Sequence, residues 1–130
     1  MAGYRTPLGA ARGLGSAKHG VGHFIAQRVS AVALLFLTVW GVLSALAVAG
    51  SGYDGARVWL ASPVNAALLI LLIATGFFHA HLGMRVIVED YIGRKTTRAT
   101  LLILNLFVAA GGAVLAALCV LKVALGGGVV

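Results

Sequence analysis

The chain has 130 residues, with 10 lysines and arginines against three acids, and is 61% hydrophobic and only 10% charged. Its mean hydropathy is +1.03. Soluble domains carry about 25% charged residues, so too little polar surface remains to clothe a water-facing globule, and a soluble fold is excluded. The formal net charge of +7 does not point to nucleic acid, because the bases stand at the ends of apolar runs, where they act as topology determinants. The length fits one domain.

The N-terminal stretch "AGYRTPLGAARGLGSAKHG" is Gly/Ala-rich and is expected to be irregular. It lacks a compact apolar core followed by a cleavage site, so no secretory signal is read there. A transit peptide would share its arginine-rich, acid-free character. Val29 to Ala49 carries no charge and is long enough to span a bilayer, which takes about 20 apolar residues. With its flank, the first transmembrane helix is expected at about residues 28–49, preceded by a basic segment, 1–27. Arg28 enters it after His19, His23, Phe24 and Gln27. An arginine at this edge either snorkels or pairs with an anionic group.

"GSGYDGARVW" reads as a Gly-rich turn, and Ser62-Pro63 is suited to cap and open a helix. The second apolar run gives a transmembrane helix at about residues 59–90, interrupted by Asn65, Thr75, His79, His81 and Arg85. Arg85 is expected to be buried and in need of a partner. The loop "YIGRKTTRAT" holds Arg94, Lys95 and Arg98 and no acid. A third helix is expected at about residues 98–124, with a small-residue face at Ala109 to Ala113. That face suits either packing within the chain or contact with a second membrane subunit. Lys122 lies near the end of this helix, and Cys119 reads as a small packing residue that has no disulfide partner.

The fold class is thus an all-α integral membrane bundle of three transmembrane helices. Four bases by Arg28 and three in the second loop stand against Arg57 and Lys122. The positive-inside rule then puts the N-terminus and second loop in the cytoplasm.

Ionisable groups inside a membrane are costly and mark sites. At about 100° per residue, His81 lies roughly 200° from His79, so the two cannot share one small site. An i, i+2 pair is also a poor zinc chelate on a helix. Gly76 and Gly83 share the face of His79 and leave a flat patch beside it. Two readings stay open. His79 ligates the iron of a planar macrocycle, or it hydrogen-bonds a neighbouring helix while the glycines serve packing. His81 reads as a packing or interfacial residue. Asp90 falls about 20° from His79 on the wheel and about 16 Å along the axis, with Tyr91 beside it. This pair suits either an amphiphilic ligand with a carbonyl to hydrogen-bond or a solvated acid and an aromatic-belt tyrosine.

"HFIAQRVSAVAL" before the first span and "HAHLGMRVIVEDY" closing the second resemble the smaller hydrophobic anchor of succinate dehydrogenase, the D-type subunit of respiratory complex II. The shared pattern is H-x3-G-M-x5-D-Y in the second helix, with F-x3-R entering the first, and the resemblance covers residues 19 to 125. It implies that His79 is one axial ligand of haem b, the other coming from the C-type cytochrome b anchor. It implies that Tyr91 hydrogen-bonds ubiquinone with Asp90 supporting that site, and that Arg28 approaches a haem propionate.

The partners implied are the C-type anchor, the iron–sulfur subunit, the flavoprotein subunit and membrane lipid, but no nucleic acid. The chain alone has no flavin motif and no cysteine set for a cluster. It would therefore be non-catalytic by itself, a subunit of an enzyme of the respiratory chain and tricarboxylic acid cycle. The expected location is the bacterial inner membrane, with the mitochondrial inner membrane as the alternative. The rivals are a C-type anchor, a fumarate reductase membrane subunit, or a cofactor-free transport or assembly protein.

Overall fold

The computed structural model describes residues 6–11, 13 and 20–126. His19 and the N-terminal bases Arg5, Arg12 and Lys18 lie outside the described residues, as does the chain end beyond Gly126. The elements are α1 (Pro7–Ala11), α2 (Gly20–Val48), α3 (Gly52–Leu60), α4 (Pro63–Tyr91) and α5 (Lys95–Ala124). Helices α2, α4 and α5 are each long and apolar enough to cross a membrane. At 1.5 Å per residue, a 29-residue helix is about 44 Å long, against a hydrocarbon core of about 30 Å. Its ends therefore reach the headgroups. Only helices satisfy every backbone N–H and C=O within one segment, and hydrocarbon demands that.

The three long helices begin at other residues than the spans expected from sequence. The first helix begins at Gly20 rather than near residue 28, so His23, Phe24 and Gln27 are helical and lie on fixed faces of α2. The second begins at Pro63, because a proline has no N–H to give an earlier turn and its ring favours position N1. Ser62 sits at the N-cap with φ −67° and ψ 122°, but its side chain makes no capping bond. The third begins at Lys95, just after an extended Arg94.

The stretch read as a turn is the short helix α3. Gly52, with φ +64°, takes the left-handed conformation that lets the chain leave α2 and start a new helix. Ala56, Trp59 and Leu60 then form a partly buried stripe with i, i+3, i+4 spacing, the helical signal that the glycines hid. Trp59 stacks on Trp40 of α2, with ring centroids 5.8 Å apart. Asn65 of α4 donates its Nδ2–H to the Trp59 carbonyl at 2.9 Å. The aromatic pair and Tyr53, over which Arg57 lies at 5.8 Å, suit a membrane interface.

Helix α4 is the central one. It packs against α2 on one side and α5 on the other, while α2 and α5 make no close approach among the described residues. Both crossings rest on glycines. A Cβ at Gly41 of α2 would stand 2.9 Å from Leu72, and one at Gly112 of α5 would stand 2.5 Å from the Phe77 ring. The small-residue face of α5 therefore divides. Gly112 receives Phe77, whereas a Cβ at Gly111 would meet nothing within 4 Å.

A single layer of three helices encloses little. The only buried apolar residues described are Leu37, Ala66, Leu82, Val88 and Val120. Side chains such as Phe36, Leu46 and Phe107 are 69–70% exposed, a surface that needs lipid or partner helices to cover it. Cys119 is exposed.

Gly112→Leu should destabilise the bundle by about 1–3 kcal/mol, the usual cost of overpacking. Gly111→Ala should be close to neutral or slightly stabilising through helix propensity. Thermal unfolding in detergent would compare them, and equal effects would contradict the packing described.

Candidate functional site

The least exposed residue among the buried ones is a serine, Ser30 at 5%. A hydroxyl so placed needs partners, and the extended α2 supplies them together with α4. His23, Gln27 and Ser30 follow one another at i, i+4 and i+7, so they form one stripe of α2. That stripe faces His79. Ser30 Oγ donates to the Gln27 carbonyl one turn back, at 3.1 Å, and lies 2.9 Å from His79 Nδ1. Gln27 Nε2 lies 3.4 Å from His79 Nε2.

The hydrogen count links the tautomer to the serine rotamer. A serine hydroxyl has one proton, and with that proton on the Gln27 carbonyl at 3.1 Å His79 Nδ1–H is the donor to Ser30 Oγ at 2.9 Å. The other ring nitrogen, Nε2, keeps its lone pair, and the Gln27 amide N–H approaches it as a weak donor at the long limit for a hydrogen bond. The two contacts agree on the same tautomer.

His81 has the opposite arrangement. Asn105 of α5 donates its Nδ2 hydrogens to the His81 carbonyl and to His81 Nδ1, both at 3.0 Å. Nδ1 is therefore the acceptor and Nε2 carries the proton. The lone pair of His81 is already engaged on the α4–α5 side. The wheel argument that separated the two histidines is borne out by their different neighbours, and Asn105 is a participant that sequence reading missed. A single amide in an apolar run is the signal that could have found it, since lipid offers it no partner.

Around His79 the two glycines differ. Space beside Gly76 is open, whereas a Cβ at Gly83 would meet Gln27 Nε2 at 3.8 Å. The flat patch is therefore open towards Gly76 and lined by Gln27 towards Gly83. On the α2 stripe, His23 Nε2 and Gln27 Oε1 are buried with no hydrogen-bond partner among the described residues. Orphaned polar atoms on a helix face that also meets an imidazole are what is expected where a polar or metal-bearing group enters. Among the described residues, no three His, Cys, Asp or Glu side chains converge as a metal cluster.

The remaining candidates stand apart. Arg28 is exposed, with its guanidinium 5.2 Å from the Phe24 ring centroid, and it makes no hydrogen bond to the His79 cluster. Asp90 is exposed, and Tyr91 is 82% exposed at the end of α4. Arg85 is not buried as expected. Its side chain is 49% exposed and pairs with Glu89 at 2.8 Å, one turn on, whereas Asp90 has no ion pair among the described residues.

The sequence profile of the succinate dehydrogenase/fumarate reductase transmembrane subunit family matches residues 2–119. A protein of Rickettsia bellii named succinate dehydrogenase hydrophobic membrane anchor subunit is 36% identical over 101 residues, covering 77% of this chain and 80% of its own. A protein of the same name from Paracoccus denitrificans is 34% identical over 114 residues, covering 88% and 86%. No solved structure gives a significant match. With three membrane helices and a match over nearly its whole length, the chain belongs to the succinate dehydrogenase/fumarate reductase transmembrane subunit family, as a hydrophobic membrane anchor of the succinate dehydrogenase type.

Proposed function

We propose that this chain is the anchor of a succinate:ubiquinone oxidoreductase in which His79 Nε2 supplies one axial ligand of a haem b shared with a C-type anchor. One observation carries this reading. Ser30 Oγ lies 2.9 Å from His79 Nδ1, and with Nδ1–H donating to it the lone pair stands on Nε2, met only by the long 3.4 Å contact of the Gln27 amide. A metal-ligating histidine characteristically donates its other N–H, which fixes the ring and raises its basicity. When bound, the haem supplies a one-electron redox centre within the bilayer. The chain's own part is to hold the ring still, present the lone pair and exclude water.

Arg28 is next to Gln27 in sequence and at the mouth of the same helix pair. Swung from Phe24, its guanidinium is suited to a propionate carboxylate. Asp90 ends the stripe of His79 at the C-terminal end of α4, on the same side of the membrane as the start of α2, with Tyr91 next to it; there Tyr91 donates its phenol hydrogen to a ubiquinone carbonyl and Asp90 supports proton supply. The whole chain serves as one membrane-anchor domain.

By the positive-inside rule, the second loop with Arg94, Lys95 and Arg98 faces the cytoplasm together with the N-terminus. This puts a basic surface towards the iron–sulfur subunit, with the flavoprotein beyond it. The setting proposed is the bacterial inner membrane.

A reduced-minus-oxidised spectrum of the purified complex tests the haem reading. The expected result is b-type bands, and a quinone-active complex without them would overturn it. For the quinone site, Tyr91→Phe removes only a hydroxyl. Quinone binding should weaken by about 1–2 kcal/mol, the scale of a lost hydrogen bond, and quinone-linked activity should fall. Succinate oxidation by an artificial acceptor and the haem content should be unchanged. Unimpaired quinone reduction across a full titration would remove Tyr91 from the site.

A further inference from the structure

We infer that Ser30 is a positioning residue for His79. Its hydroxyl acts as the acceptor for Nδ1–H, so it sets the tautomer and the ring orientation of the imidazole that faces the haem. The inference rests on the haem reading above and deepens it. Three observations carry it.

Ser30 is more deeply buried than any apolar residue described, at 5% exposure against 6% for Val88. Burial of a hydroxyl is unfavourable unless it is hydrogen-bonded, so its position reflects the contacts it makes. It makes two. The proton goes to the Gln27 carbonyl at 3.1 Å, as serine hydroxyls in helices commonly do towards the preceding turn. That bond aims the oxygen lone pairs away from α2 and onto His79 Nδ1 at 2.9 Å. Rotation of the hydroxyl to present its proton to Nδ1 would break the bond to Gln27 and reverse the tautomer. The fold thus selects between the two ring nitrogens before any ligand arrives.

The third observation is the contrast with His81, two residues on in the same helix. There the partner is a donor, Asn105, and it engages Nδ1 as an acceptor at 3.0 Å. One helix therefore carries two imidazoles held in opposite tautomers by opposite partners, a serine oxygen on α2 and an asparagine amide on α5.

Donation of Nδ1–H to an oxygen increases electron density on the ring and favours the ferric state of an iron bound at Nε2. Loss of the acceptor should shift the haem midpoint potential upward and change the highest g value, because the ring is free to turn. The test is made in the intact complex with Ser30→Ala and Ser30→Thr. Ser30→Ala should retain haem b, with a raised midpoint potential and a moved g value. Ser30→Thr keeps the hydroxyl and should behave like the wild type.

If Ser30→Ala loses the haem, Ser30→Cys decides, since a thiol is a poorer acceptor of similar size. A raised potential supports the inference, and an unchanged one overturns it. Ser30→Ala with wild-type g value and potential would also overturn it, as would Ser30→Thr shifting as far as Ser30→Ala. In those cases a bis-histidine haem in the wild type would leave the haem reading standing. A wild-type complex with no b-type haem would overturn both.

Discussion

Side chains two residues apart on a helix point to nearly opposite sides, and a polar side chain within a bilayer has only its neighbouring helices to satisfy it. These two constraints organise the chain around α4. His79 and His81 need different partners on different helices, and the bundle provides one on each side. Ser30 and Gln27 of α2 meet the first, and Asn105 of α5 meets the second. A single layer with α4 in the middle is the arrangement that satisfies both. Glycines make it sterically possible by admitting Leu72 on the α2 side and Phe77 on the α5 side.

The same geometry accounts for the division of chemistry along the chain. The α4–α5 contact is closed, with the His81 lone pair already engaged by an amide. The α2–α4 contact is less closed, since α2 carries two buried atoms without partners among the described residues, His79 Nε2 has only a long 3.4 Å contact, and the space beside Gly76 is open. A helix pair that served packing alone would carry the burial penalty of those atoms without return. The proposed entry of a partner's group here, with a cofactor between the chains, would remove that penalty. The thin core and the broad apolar surface agree with an anchor that is completed only within an assembly.

The membrane class, the number of spans and the separation of the histidines were legible because they depend on composition and on helical period alone. Helix α3 was not, since Gly52 and Gly55 mask the stripe of Ala56, Trp59 and Leu60. The extension of α2 to Gly20 was hidden by the charge of Arg28, which looks like a flank but lies within the helix. Ser30 and Asn105 were also out of reach. A serine in "VSAVAL" and an asparagine in "ILNLF" look incidental until the neighbouring helix is in place, because their partners are 49 and 24 residues away in sequence. The partner of Arg85 followed an i, i+4 spacing that was present in the sequence and went unread.

The measurement that bears most directly on this account compares the absorption and low-temperature EPR spectra of complexes carrying His79→Ala and His81→Ala. Of the two imidazoles of α4, His81 has its Nδ1 engaged by Asn105 at 3.0 Å, whereas His79 Nε2 meets only the long 3.4 Å contact of Gln27. Loss of His79 should therefore abolish bis-histidine ligation, with haem depleted or made high-spin, while His81→Ala retains a low-spin b-type spectrum. An intact low-spin haem in His79→Ala, or its loss in His81→Ala alone, would contradict the assignment of the two imidazoles and the tautomer argument on which it stands.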